Sequence, residues 1–163
     1  MTDKKTNANQ EGFTVRNPVS PIELLAQYVK DLSFETPSSP QIFQDLRQNM
    51  PDIPVEIECE TEELKENQHE VILKIHSEAT IAQKTVFILE LSYAAVIKIG
   101  DISEEHIKPM LLIETPRLMF PFARKIVSDI TIQGGFPPLM LQIVDFKDIY
   151  LKKYASEKER SII

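Results

Sequence analysis

The chain has 163 residues, 42% of them hydrophobic, and 25 acidic residues against 18 basic ones give a net charge of -7. That length suits one domain with short ends, and a domain of this size keeps some of its apolar residues on the surface. Acidity without any Lys/Arg-rich run excludes nucleic acid as a partner, because phosphate binding needs a positive patch, and favours a protein with a basic docking surface.

Residues 1–21 are polar and include Pro18 and Pro21, so they are expected to form a disordered arm. From Ile22 an alternation begins, with Ile22, Leu24, Ala26, Tyr28, Leu32 and Phe34 on one face and Glu23, Gln27, Asp31, Ser33 and Glu35 on the other. It predicts a strand or strand pair. Thr36-Pro37-Ser38-Ser39-Pro40 ends it, and an irregular stretch with Ile42, Phe43, Leu46, Met50, Pro51 and Pro54 comes next. Such a long apolar crossover loop either covers the core or forms a binding surface.

Val55, Ile57 and Cys59 alternate with Glu56, Glu58 and Glu60 in a second strand; Val71, Leu73, Ile75, Ala79 and Ile81 face away from Glu70, Lys74, His76, Glu78 and Thr80 in a third. A fourth strand begins near Thr85, with Phe87, Leu89, Leu91 and Tyr93 inward and Val86, Ile88, Glu90 and Ser92 outward. Short links between these strands predict antiparallel pairing.

The period then changes to that of a helix. Asp101, Ser103, Glu104 and Glu105 form a helix start, and Pro109 limits how regular this first helix is. A longer helix is predicted from Pro116 to Gln133, with Met119, Phe122, Ala123, Ile126 and Ile130 inward, Pro121 in or near its first turn and Gly134 as its stop. After the Gly134-Gly135-Phe136-Pro137-Pro138 turn, Asp145 caps a short helix bearing Phe146, Ile149 and Tyr150, and 156–163 form a flexible tail. The fold class is α+β: one domain over 22–155, a four-stranded antiparallel sheet with helices packed on one face.

Catalytic signals are lacking. His69, His76 and His106 do not have metal-ligand spacing, Cys59 has no second cysteine, and Gly134-Gly135 leads into Phe and Pro instead of a phosphate loop. A non-enzyme without cofactor or metal is expected. The lone cysteine and the segment MTDKKTNANQEG, which lacks the apolar run of a secretory signal, predict a cytoplasmic protein. On the outward sheet face Ile72, Val86 and Ile88 lie among Asp31, Glu35 and Glu90, a pattern that suits docking of a basic, partly apolar partner. Scattered surface aliphatics would look the same.

Three segments go further. Lys30-Asp31-Leu32-Ser33-Phe34-Glu35-Thr36-Pro37, Phe120-Pro121-Phe122-Ala123-Arg124 and Gly135-Phe136-Pro137-Pro138-Leu139 resemble, in order and spacing, characteristic segments of the SecB chaperones. The resemblance spans Tyr28 to Tyr154. It implies a homotetramer, a dimer of dimers, that binds unfolded precursor proteins along apolar grooves, keeps them translocation-competent and delivers them to the SecA motor without nucleotide or metal. Carried over by position, Asp31, Glu35, Ile88 and Glu90 would dock SecA, with isoleucine at 88 where the family often has leucine. The client groove would use Ile42, Phe43, Val55, Ile57 and Cys59, with Met110, Leu111 and Leu112 nearby. The crossover loop is longer than in better-known members and lacks a tryptophan they carry, so the resemblance assigns no groove residues between Leu46 and Pro54. A scaffold oligomer subunit without client binding is the alternative.

Overall fold

The computed structural model describes residues 20–160 together with Thr14 and Arg16, so the expected N-terminal arm falls almost wholly outside the described residues. Strand β1 (Ile22–Glu35) leads through the crossover loop and its single helical turn α1 (Ile42–Asp45) to β2 (Glu56–Lys65), β3 (Gln68–Ile81) and β4 (Lys84–Ile99). Helices α2 (Glu104–Pro109), α3 (Thr115–Gln133) and α4 (Phe146–Arg160) complete the chain order. The sheet is antiparallel throughout, in the order β1-β4-β3-β2. Helix α4 runs to Arg160, into the segment expected as a tail.

One face of the sheet carries the core. Val71, Leu73 and Ile75 of β3 and Leu89 and Leu91 of β4 meet Leu111, Met119, Ala123 and Val127 from the helical half, with Phe146 anchoring α4. These strand residues are the ones the period-two alternation selects. No helix among the described residues is long and apolar enough to cross a membrane.

Strand β1 departs from simple alternation. Its pairing with β4 slips between Leu24 and Ala26 and again between Val29 and Asp31. Each extra residue reverses the side on which the following ones point. Gln27, opposite Ala95, therefore lies on the helix side, whereas Ala26 and Tyr28, opposite Val96 and Ala94, lie on the outward side. The expectation for these three positions is corrected. Val86 is corrected for the same reason: pairing jumps from Ala79↔Phe87 to Thr80↔Thr85, leaving Val86 as the bulged residue, fully buried on the helix side.

The helical half is more continuous than three prolines suggest. A π-helical turn, Met110–Glu114, joins α2 to α3 without a break. The Thr115 N–H and the Thr115 hydroxyl, at 3.0 Å, both donate to the Met110 carbonyl, so that group is satisfied despite the irregular turn. Pro116 directly follows the π-helical turn, and Pro121 lies inside the helix instead of its first turn. The buried stripe of α3 is Met119, Phe120, Ala123, Val127 and Thr131. Phe122, expected inward, is 55% exposed, and Phe120 takes the inner place, edge-on to Phe146 with centroids 5.8 Å apart.

The stop after α3 is built around two small residues and one hydroxyl. A Cβ on Gly134 would sit 2.3 Å from the Phe34 ring, and Gly135 has φ +88°, the left-handed conformation. The buried Thr131 hydroxyl donates to the Val127 and Ser128 carbonyls, at 3.1 and 2.9 Å, and accepts the Leu139 N–H at 3.0 Å. It ties the Gly-Gly-Phe-Pro-Pro turn back onto α3. Thr131→Val should cost about 1–3 kcal/mol, because the isosteric change strands the Leu139 N–H. Urea unfolding at fixed protein concentration checks this. As expected, Asp145 caps α4, its Oδ1 accepting the Asp148 N–H at 3.1 Å.

Candidate functional site

The outward sheet face is a grid of charge whose rows are set by the register. One row runs Asp31, Ser92, Lys74, Glu58 from β1 to β2; the next runs Ser33, Glu90, His76, Glu56; a third begins Glu35, Ile88, Glu78. Asp31, Glu35 and Glu90 are exposed and Ile88 is half-buried. Carboxylates outnumber the two basic side chains. Lys74 Nζ is 2.8 Å from Glu60 Oε2, and that bond holds its pKa above the ordinary lysine value. Two shallow concavities, about 320 and 360 Å³, lie on this face and share Glu56 and His76.

Further along the same face is a buried carboxylate. Glu70, 5% exposed, accepts hydrogen bonds from the Tyr28 hydroxyl and, at 2.7 Å, from Lys30 Nζ. The bond from Lys30, then that from Tyr28, pulls the Glu70 pKa below the usual carboxylate range, while the bond to Glu70 and burial push Tyr28 up to about 12. A lowered carboxylate pKa contributes stability that is complete above the unfolded value of about 4.3 and is lost as pH falls through the folded value. Wild-type stability should therefore decline on acidification below about pH 4. Glu70→Gln should cost about 1–3 kcal/mol near neutrality and flatten that decline, as read from denaturation midpoints across pH.

The opposite side of the protein holds an apolar groove of about 360 Å³. Leu46, Met50, Pro51 and Ile53 of the crossover loop form one wall, and Phe136, Pro137, Pro138 and Leu139 form the other, over Val86 and Phe87. Aromatic rings brace it: Phe34 stacks on Phe87 at 5.4 Å, and Phe43 on Phe136 at 5.3 Å. Met50 is 93% exposed at its rim. Such a surface offers non-directional burial to an apolar segment.

The family model described as preprotein translocase subunit SecB matches residues 16–157. A protein-export protein SecB of Sinorhizobium medicae is 41% identical over 160 residues, covering 98% of this chain and 93% of its own length. One from Paramagnetospirillum magneticum is 45% identical over 134 residues, covering 82% and 86%. The chain belongs to the SecB family. Its function is that of a protein-export chaperone, and the family is not one of enzymes. A solved structure of a Mycobacterium tuberculosis SecB-like chaperone, in complex with a peptide from an antitoxin, superposes with a TM-score of 0.59 at 17% identity, covering 76% of this chain and 91% of that one. It shows the shared fold.

The residues singled out for client contact divide by burial. Phe43 and Val55 are exposed, and Ile57, Met110 and Leu112 are half-buried. Ile42, Cys59 and Leu111 belong to the core and support the surface from beneath. Burial pushes the Cys59 thiol up to about 12, partly opposed by Lys153 of α4, so it is a protonated, small apolar residue. The walls of the apolar concavity are a different set, the 46–53 stretch and the 136–139 turn. The signal for them is present in the sequence: two proline-rich segments whose large apolar residues fit neither a strand nor a helix period.

Proposed function

We propose that this protein is a cytoplasmic homotetramer, a dimer of dimers, that holds unfolded export precursors in its apolar grooves and passes them to SecA. Asp31, Glu35, Ile88 and Glu90 dock the motor. The observation that carries the reading is the separation of two chemically opposite surfaces by one sheet: an apolar groove on the helix and loop side, and carboxylates on the other. The peptide held by the M. tuberculosis relative supports binding of polypeptide segments.

Assembly is supported by apolar surface outside the 46–53/136–139 groove. Leu24, Leu25, Val29 and Leu32 are exposed on β1, an edge strand, and Leu118, Phe122 and Ile132 are exposed on α3. An open edge with such side chains favours pairing with another copy. Several grooves on one oligomer then hold one long client, and each contact raises the effective concentration for the next.

The test is suppression of aggregation of a reduced, unfolded precursor without nucleotide. The purified protein should prevent aggregation with or without ATP, ignore the folded form of the same client, and elute as a tetramer by light scattering. A nucleotide requirement or equal binding of folded and unfolded forms would overturn the holding mechanism. A tetramer that suppresses nothing would favour a scaffold subunit.

A further inference from the structure

His76 stands at the centre of the outward face, and every strand brings charge close to it. Its register partners are Glu90 on β4 and Glu56 on β2. Along β3, Lys74 and Glu78 flank it on the same face, Lys74 opposite Glu58 and bonded to Glu60. From β1, Asp31 and Glu35 occupy the rows on either side. The imidazole lines both concavities of this face. Its Nδ1 lies 3.5 Å from Glu90 Oε1, an ion-pair distance for a protonated ring and too long for a good hydrogen bond from a neutral one.

We infer that His76 is a positioning residue that regulates motor docking: the neutral ring leaves Glu90 free for a basic partner, and the protonated ring holds it. The inference rests on the docking reading above. Histidine is the side chain whose charge normally changes between about pH 5 and 8. A proton on His76 places a positive charge between Glu56 and Glu90 and cancels part of the field that attracts the partner. The imidazolium also competes for the Glu90 carboxylate. Docking is thus strongest where the ring is neutral and weakens where it carries a proton. Lys74, charged throughout this range and engaged by Glu60, is a constant background.

One added charge at this spacing, on a surface of intermediate dielectric, changes Kd on the order of fivefold. Titration of the full-length protein with purified SecA at about pH 6 and about pH 8, at fixed ionic strength, tests the inference. Wild type should lose on the order of fivefold more affinity between the two than His76→Gln does. Groups on SecA contribute equally to both and cancel in the comparison. His76→Lys should bind near pH 8 about as weakly as wild type near pH 6. The same pH ratio for wild type and His76→Gln, or full affinity for His76→Lys, overturns the inference.

Glu90→Gln near pH 8 separates the two levels. If it leaves SecA affinity unchanged, the docking reading fails and the inference with it. If it weakens docking while His76→Gln keeps the wild-type pH ratio, only the inference fails. Client holding is measured alongside as a check on folding, and His76→Thr carries the comparison should His76→Gln lose it.

Discussion

Glu90→Lys should weaken SecA binding on the order of a hundredfold and leave client holding and assembly near wild type, because pressing like charges together costs several kcal/mol. Glu90 is exposed in the row Ser33, Glu90, His76, Glu56, while its neighbours Leu89 and Leu91 point into the core. Reversing it therefore changes the outward face without touching the packing. Asp31→Lys with Glu35→Lys should act in the same direction from β1, where both carboxylates share that face two rows apart. The wild-type advantage should grow as ionic strength falls, since exposed charges interact over a longer screening length. Calorimetric titrations with SecA and, separately, with an unfolded precursor decide it. Equal losses for both ligands would mean misfolding, and unchanged SecA affinity would remove the residue assignment while family membership stands.

How much the sequence discloses depends on how regular each element is. Strand β3 and most of β4 are unbroken, and their alternation names the buried set from Val71 to Ile81 and from Phe87 to Tyr93 correctly. Strand β1 hides its two bulges, because nothing in Ile22-Glu23-Leu24-Leu25-Ala26-Gln27 marks which residue is extra. Tyr28 thus reads as a core residue, although its hydroxyl serves Glu70 on the outward face. The acidic face survives this error since Asp31 and Glu35 lie beyond the last slip of β1 and Glu90 lies in the regular part of β4.

Helix α3 fails for a different reason. A helix with apolar residues at Leu118, Met119, Phe120, Phe122, Ala123 and Ile126 has more than one stripe that could face a core, and periodicity does not choose between them. The choice is made by Phe146, which arrives later in the chain and pairs with Phe120. The exposed remainder, with Phe122 and Leu118, is then available for another copy. The groove has the same character. Its two walls are 83 to 93 positions apart in sequence and meet only because the crossover loop and the Gly-Gly-Phe-Pro-Pro turn both close over Phe87.

Met50→Glu should weaken binding of an unfolded precursor on the order of tenfold or more, because a client's apolar segment would have to desolvate a carboxylate in a groove whose lining is apolar except for Asn49. The surroundings are Leu46, Pro51 and Ile53 on one side and Pro137, Pro138 and Leu139 on the other. At 93% exposure Met50 contributes little to the fold, so the loss would be one of binding. Methionine suits this place, since its unbranched, polarizable side chain adapts to many client shapes. In the proposed tetramer every protomer would carry the change, so the effect on a wrapped client would compound through lost avidity. Ile143→Glu supplies the control: Ile143 is also 93% exposed but does not line the groove, so the same added charge should leave holding unchanged. SecA affinity should stay at wild type for both. Equal losses at the two positions would mean general charge repulsion of the client, and full holding by Met50→Glu would place the client surface away from this groove.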